Sequence, residues 1–392
     1  MSFYYPPDLS AGSFRTAALV SALLEQFADQ IHIDLVTTQP NRYGSFSAEA
    51  PAFEQCSQLT IHRIELEPHQ SGMVDQSRAF LSYARGALLA INGEKYDLVY
   101  ATSSRLMTAT LGAFVARRRK IPLYLDIRDI FVDTIKDVLS APLARIVRPF
   151  FSLLEGWTIR SASKVNLVSS GFVCYFRARY SEVEYSFFTN GIDDEFIQAQ
   201  PTDRQESGNE VLKVVYAGNM GEGQGLHTII PGLARRFEGR LQFSLIGDGG
   251  RRRQLAEAVA ECQNVQLLAP VEREALIAAY GEADVLFLHL NDYEAFKKVL
   301  PSKLFEYGAM GKPIWAGVAG YAADFLHMHI KNAAIFTPCD VQDAAHAFET
   351  LDLASEPRQQ FVEQFSRDNI MRKMAMDIIA MVIPPTSKRC EK

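Results

Sequence analysis

The sequence predicts a two-domain α/β protein in which each half is built on a parallel sheet. Three observations carry this. Short apolar runs alternate with longer stretches whose apolar residues recur at helical spacing. The alternation stops once, at a polar stretch, and then restarts. The length of 392 residues, 48% of them hydrophobic, exceeds what one hydrophobic core usually holds.

Taken in order, Ile31–Val36, Leu98–Ala101, Leu123–Ile127 and Val165–Val168 are short and apolar, as buried parallel strands are. The first helical stretch shows Ala17, Val20, Leu24 and Phe27 at spacings of three and four, which gives one apolar face. Residues 198–210, with Pro201, Gly208 and several charged side chains, read as a linker. Strand-like runs resume at Val211–Ala217, Gln242–Ile246, Val265–Leu268, Val285–Leu290 and Ile314–Gly317. Strands alternating with helices imply crossover units and a parallel sheet. In such sheets ligands bind beyond the carboxyl ends of the strands, so the loops there are where chemistry is expected. A Rossmann-like half should also open on a buried strand, yet only Ser2–Tyr5 precedes Pro6. The expectation is a very short strand, or a start a few residues upstream.

Charge and cysteine usage narrow the function. A net charge of −6 gives no sign of a nucleic-acid binder. The basic runs Arg117–Lys120 and Arg251–Arg253 read first as solvated helix ends or turns. Five cysteines, at 56, 174, 262, 339 and 390, form no CxxC pair and no metal-ligand spacing, so free thiols in a reducing cytoplasm are expected. His327 and His329 have no carboxylate or thiol at metal spacing beside them, so no metal site is expected. Met1–Ser10 lacks the apolar core of a leader, and no uncharged apolar run is long enough to span a bilayer.

Five segments could carry chemistry. Pro6–Ser13 places Gly12 at the start of the first helix, where free N–H groups and the positive dipole end suit a phosphate; the alternative is a turn capped by Ser13. Tyr216–Gly225 is a glycine-rich strand-to-helix loop containing Gly218, Asn219 and Gly221, able to turn tightly beneath a diphosphate, although close packing also needs glycine. Ile246–Arg253 carries Gly247 and then Arg251, a cation placed at a strand end. Pro301–Ile314 is the most specific: a helix starting near Ser302 would put Lys303 and Glu306 on one face, against the alternative of an ordinary intrahelical ion pair. In Leu125–Asp129, Asp126 and Arg128 share one side of a strand; a structural pair is the competing reading.

With these motifs in order, the chain resembles the retaining glycosyltransferases of family four over nearly its whole length. The resemblance rests on Tyr4–Gly12, Thr189–Asp193, the Gly218–Gly225 loop, Gly247–Gly249, Ala283–Val285 and the Pro301–Pro313 block. The nearest subgroup is similar to the WbuB-type transferases of bacterial O-antigen and capsule assembly, some assigned to L-N-acetylfucosamine. The resemblance implies the GT-B fold: two Rossmann-like domains facing each other across a cleft. It implies an acceptor-side domain over residues 1–197, completed by a C-terminal helix at 370–385, and a nucleotide-sugar domain over 198–369. Gly12 would lie under the donor diphosphate, with Arg251 and Lys303 as its cations. Glu306 would hold the ribose of a uridine nucleotide, and the loop of Val271 and Glu272 would read the base. Gly218, Asn219, Gly221, Gly247, Pro301, Ser302 and Leu304 would complete the donor site. Asp126, Arg128, Lys303 and Glu306 are the candidate catalytic residues. Fixed cations would replace a metal, so no metal or cofactor is expected.

The sequence departs from the family pattern at three places. The first of two glutamates is replaced by Lys298, the loop lysine by Gln224, and a first-domain histidine by Arg128. Two other readings therefore stand beside transfer: a nucleotide-sugar epimerase, which would need acid/base groups around a sugar carbon, and a degenerate binding scaffold. The expected partners are a nucleotide-sugar donor and a polyprenyl-diphosphate-linked acceptor. Leu143–Ile159, with Phe150, Phe151, Leu154 and Trp157 beside Arg145 and Arg148, suits an interfacial helix, so the expected location is the cytoplasm with peripheral attachment to the inner membrane. A buried inter-strand helix is the alternative.

Overall fold

A computed structural model of the chain describes residues 1–8, 10–40, 50–66, 73–103, 106–133, 141–199 and 211–383. It divides into two compact units. The first comprises Met1–Thr189 and the chain from Arg367 onward; the second is Asn190–Ser366. The expected boundary at 197 therefore moves back to 189, because Ile192 and Phe196 pack in the second unit's core. The part of the expected linker at 200–210 lies outside the described residues.

The first unit holds two sheets. Strands β1 (Ile33–Thr38), β2 (Phe53–Cys56) and β3 (Leu59–Ile64) form one, in the order β1-β3-β2, with β2 antiparallel. Strands β4 (Val99–Thr102), β5 (Leu123–Ile127), β6 (Lys164–Leu167) and β7 (Glu184–Ser186) form a parallel four-stranded sheet. The expected opening strand is not a regular strand, yet it pairs on both sides. The Ser2 N–H donates to Val36 O on β1 (3.1 Å), and Met1 O accepts from Thr102 N on β4 (3.2 Å). Phe3 is fully buried and Tyr4 nearly so. The first helix, Ala11–Phe27, packs Leu19 and Ala22 against Met371, Met374 and Ala375 of the helix Arg367–Ile379, so the chain's end completes this unit's core.

The second unit is built on six parallel strands: β8 (Leu212–Ala217), β9 (Leu241–Ile246), β10 (Val265–Leu268), β11 (Val285–His289), β12 (Ile314–Gly317) and β13 (Ala333–Phe336), in the order β10-β9-β8-β11-β12-β13. The order reverses between β8 and β11. A chain that winds outward both ways from that point leaves a crevice at the carboxyl ends of these two strands. Apolar clusters cover both faces of the sheet, which is why β8, β11 and β12 read as continuous apolar runs. Trp315 on β12 is fully buried, and its indole N–H donates to Ala344 O (3.1 Å).

Candidate active site

Two glycine-bearing loops meet at the crevice. Gly218 ends β8 and Gly247 ends β9, both at positive φ (136° and 144°), where a side chain would be strained. A Cβ on Gly247 would lie 1.9 Å from Gly218 O, so the two backbones touch only because Gly247 has no side chain. The contact is locked by hydrogen bonds from Gly218 N to Ile246 O, from Met220 N to Asp248 O and from Arg251 N to Met220 O (2.8, 2.8 and 2.9 Å). The result is a floor of peptide backbone, with the Lys303 side chain lying closest above Gly218 and the Tyr216 hydroxyl beyond it. A Cβ on Gly218 would meet Lys303 Nζ at 2.3 Å, and the ammonium also lies 5.1 Å from the Tyr216 ring centroid.

Lys303 opens the short helix Lys303–Ala309, and Glu306 lies one turn later. Both are half-buried, while Leu304, Phe305, Tyr307 and Gly308 face the core. The alternation of charged and apolar residues thus splits this helix into a packed face and a site face. The Tyr280 hydroxyl approaches Glu306 Oε2 at 3.4 Å. Leu304 corrects an expectation: its side chain is completely buried in the core, which leaves only its backbone for a ligand. Ser302 precedes the helix without a capping side-chain bond. Val271 and Glu272 follow β10, Val271 packing partly on the core and Glu272 exposed at the start of the helix Arg273–Gly281.

Arg251 is about half exposed and already paired: its Nε donates to Glu222 Oε2 at 2.5 Å. The Tyr293 hydroxyl donates to the other oxygen (2.6 Å), and these bonds, Tyr293's first, hold the Glu222 carboxyl below its ordinary value. Asn219 and Gln224 pair with each other (2.7 Å), so where a lysine was expected two neutral amides face one another.

The sequence reading missed the group that braces this loop. His289 ends β11, is fully buried, and donates from Nδ1 to Gln224 O (2.7 Å) while Nε2 accepts from Cys339 N (2.9 Å). Asn291 donates from Nδ2 to Glu222 O and from its backbone to Gly223 O (3.0 and 2.9 Å). The available signal was a histidine inside the apolar run Val285–Leu290, a place where an imidazole needs two partners. A histidine does stand at a strand end, but both its ring nitrogens are engaged, which leaves neither for acid/base work on a sugar.

In the first unit Asp126 is not a site residue. It is completely buried and accepts two bonds from Arg15 (2.8 and 3.0 Å), one from Asn166 (2.7 Å) and one from the Tyr100 hydroxyl (3.1 Å). Arg15 in turn donates to Phe188 O and Thr189 O (2.7 and 2.6 Å). This is a buried structural network in which the cation hydrogen-bonded to Asp126 is Arg15, while Arg128 acts on the carboxylate only through its charge. Arg128 instead lies by Gly12, where a Cβ would come 3.5 Å from its Nη1. That nitrogen is buried without a hydrogen-bond partner. Burial lowers the guanidinium's pKa, Asp126 opposing. An unsatisfied buried N–H at the start of a long helix favours an anion. Among the described residues no group of three or more His, Cys, Asp or Glu side chains could hold a metal ion.

Comparison with known proteins agrees with this geometry. Residues 14–191 match the glycosyl transferase 4-like domain, and residues 212–352 match glycosyl transferases group 1. No curated protein matches by sequence. Among solved structures, the fold is similar to sucrose-phosphate synthase from Thermosynechococcus elongatus, at 15% identity over 96% of this chain and 94% of that one, with a TM-score of 0.72. It is also similar to Anabaena Alr3699/HepE in complex with UDP (18%, 97% and 100%, 0.65) and to WaaG, a glycosyltransferase involved in lipopolysaccharide biosynthesis (13%, 97% and 95%, 0.62). The chain is therefore a glycosyltransferase of the GT-B fold, a glycosyl transferase 4-like domain followed by a group 1 domain.

Proposed function

We propose that the chain is a retaining transferase that moves a sugar from a UDP-sugar, of the L-N-acetylfucosamine class, to a lipid-linked saccharide in bacterial surface polysaccharide synthesis, without a divalent metal. The observation that carries the donor assignment is the bare backbone floor at Gly218 and Gly247 with the Lys303 ammonium against it, at the point where strand order reverses. For a diphosphate laid there, the ammonium neutralises the negative charge that the leaving oxygen gains as the bond to the sugar breaks, which is electrostatic catalysis by a fixed group. Glu306 takes the ribose hydroxyls, the loop of Val271 and Glu272 takes the base, and Arg251 exchanges Glu222 for phosphate. The structural neighbours include one in complex with UDP and one involved in lipopolysaccharide biosynthesis, which supports both the nucleotide and the pathway.

A lipid-linked acceptor makes attachment to an anionic bilayer useful. The helix Ala141–Arg160 exposes Phe150, Leu153 and Trp157, at spacings of three and four. Side chains before Val147, including Leu143 and Arg145, lie outside the described residues. Arg148 is exposed on this helix, and the Arg117 guanidinium sits 5.8 Å from the Trp157 ring centroid. The helix's one carboxylate, Glu155, is buried. Apolar bulk with arginines and no exposed acid suits an interfacial face. Among the described residues no helix is long and apolar enough to cross a membrane.

The test is a UDP-sugar panel with and without a polyprenyl-diphosphate-linked saccharide, in EDTA, with product anomers assigned by NMR. Acceptor-dependent UDP release with retained configuration is expected. Donor isomerisation without acceptor means an epimerase, binding without release means a scaffold, and rescue only by Mn²⁺ defeats metal independence. Flotation with anionic vesicles tests attachment: the Phe150→Ser/Leu153→Ser variant should stay at the bottom, and a wild-type protein that does so too refutes the interfacial face.

A further inference from the structure

The helix that carries Lys303 and Glu306 is only two turns long, and its far end is held by a residue some fifty positions away. Arg358 is 8% exposed. Its Nη1 donates to Tyr307 O and Gly308 O (3.2 and 3.0 Å), the last carbonyls of that helix. Its Nη2 donates to Lys312 O (2.9 Å) and to the side chain of Asn332. Burial pulls the guanidinium down to about 10, with Glu356 opposing at a distance. The guanidinium thus donates to four oxygens of amide type, two of them at the negative end of the helix dipole. A buried cation is costly unless its bonds are good, and here the bonds go to the end of the site helix rather than to a carboxylate.

Two further contacts fix the same helix. Gly308 lies flush on Phe361, where a Cβ would come 2.2 Å from the ring. The Tyr307 hydroxyl donates to Phe287 O on β11 (3.2 Å) and accepts from Ala217 N (3.5 Å). Tyr307 and Phe361 set rotation and height over the sheet; Arg358 sets the position along the helix axis. The ammonium of Lys303 has little latitude at the other end, since it already occupies the space a Cβ on Gly218 would need.

We propose that Arg358 is a positioning residue of the donor site, clamping the carboxyl end of the Lys303–Ala309 helix so that Lys303 and Glu306 meet the nucleotide. The proposal rests on the donor reading given above. The experiment compares Arg358→Ala, Arg358→Lys, Lys303→Ala and Trp315→Phe for UDP Kd, donor KM, kcat and thermal unfolding. Arg358→Ala should weaken UDP binding and raise donor KM about tenfold or more, with a smaller change in kcat, since small misplacements are amplified at a preorganised site. Arg358→Lys should recover part of this, and guanidinium ion added to Arg358→Ala should restore UDP affinity. Trp315→Phe should lower the unfolding temperature without moving UDP Kd, which separates positioning from general destabilisation. If Arg358→Ala does not fold, Arg358→Lys carries the test, with a several-fold weaker UDP Kd expected. Wild-type UDP affinity in a folded Arg358 variant, with Lys303→Ala impaired, overturns the clamp and leaves the donor reading standing. Wild-type affinity in Lys303→Ala overturns the donor reading and the clamp with it.

Discussion

Acidification should loosen the second unit at His289. The ring is fully buried, its Nδ1 proton held by Gln224 O and its Nε2 lone pair by the Cys339 N–H. A second proton has no place to sit without breaking the bond to Cys339. Burial accordingly lowers the imidazole from its ordinary 6.5 to about 4. The unfolded chain therefore binds the proton first, so the stabilisation is complete above pH 6.5 and is lost as pH falls toward 4. At 1.36 kcal/mol per unit, the full loss is about 3 kcal/mol, with about 1.4 gone at pH 5.5 and about 2.6 at pH 4.5. The assay is urea unfolding of the wild type and His289→Asn across pH 7.5 to 4.5. Other titrating groups are common to both proteins, so the difference isolates the imidazole. The wild type's advantage over His289→Asn should shrink by those amounts. A difference that stays constant with pH would show that His289 is not held neutral, and the account of the loop brace would fail.

Three other predictions concern single side chains. Glu306→Gln should weaken UDP binding by about 1.5–3 kcal/mol, the range for a bond to a charged group, with the unfolding temperature unchanged; calorimetry checks it. Lys303→Ala should lower kcat more than it raises donor KM, because charge on the leaving diphosphate grows in the transition state; a raised KM with kcat unchanged would make the ammonium a binding group only. Asp126→Ala leaves Arg15 buried and uncompensated, so the first unit should lose about 3–5 kcal/mol, seen in denaturant unfolding, whereas UDP binding by the second unit in the surviving folded fraction should not change.

The parts of the fold legible in the sequence are those whose signal is local. Ile314–Gly317 is a strand with the expected bounds because a parallel strand covered on both faces must be apolar throughout. Strands β2 and β7 escaped notice for the opposite reason. Phe53–Cys56 is a largely exposed edge strand, and Glu184–Ser186 has only three residues, so neither makes an apolar run. The same division holds at the site. The glycine loops and the helix that carries Lys303 and Glu306 one turn apart are written in neighbouring residues, and so could be read. Asp126 was misassigned because its partner, Arg15, lies 111 positions earlier. Two side chains on one face of a strand suggested Arg128, but strand geometry says nothing about which distant element covers that face. His289 and Arg358 act on backbone carbonyls, and a carbonyl leaves no mark in the sequence.

The packing of the helix Arg367–Ile379 on the first helix has a consequence for biogenesis. Leu19 and Ala22, which precede the second unit in the chain, are covered by Met371, Met374 and Ala375, which leave the ribosome only after the second unit has been made. The second unit is continuous in sequence and can close as soon as residue 366 has emerged. The first unit, begun earlier, cannot finish until the second has been synthesised, so its apolar helix face stays open throughout that time. Ribosome-bound chains stalled with residue 366 just outside the exit tunnel should therefore be protease-resistant over 211–366 while Ala11–Phe27 remains a target for hydrophobic-patch chaperones.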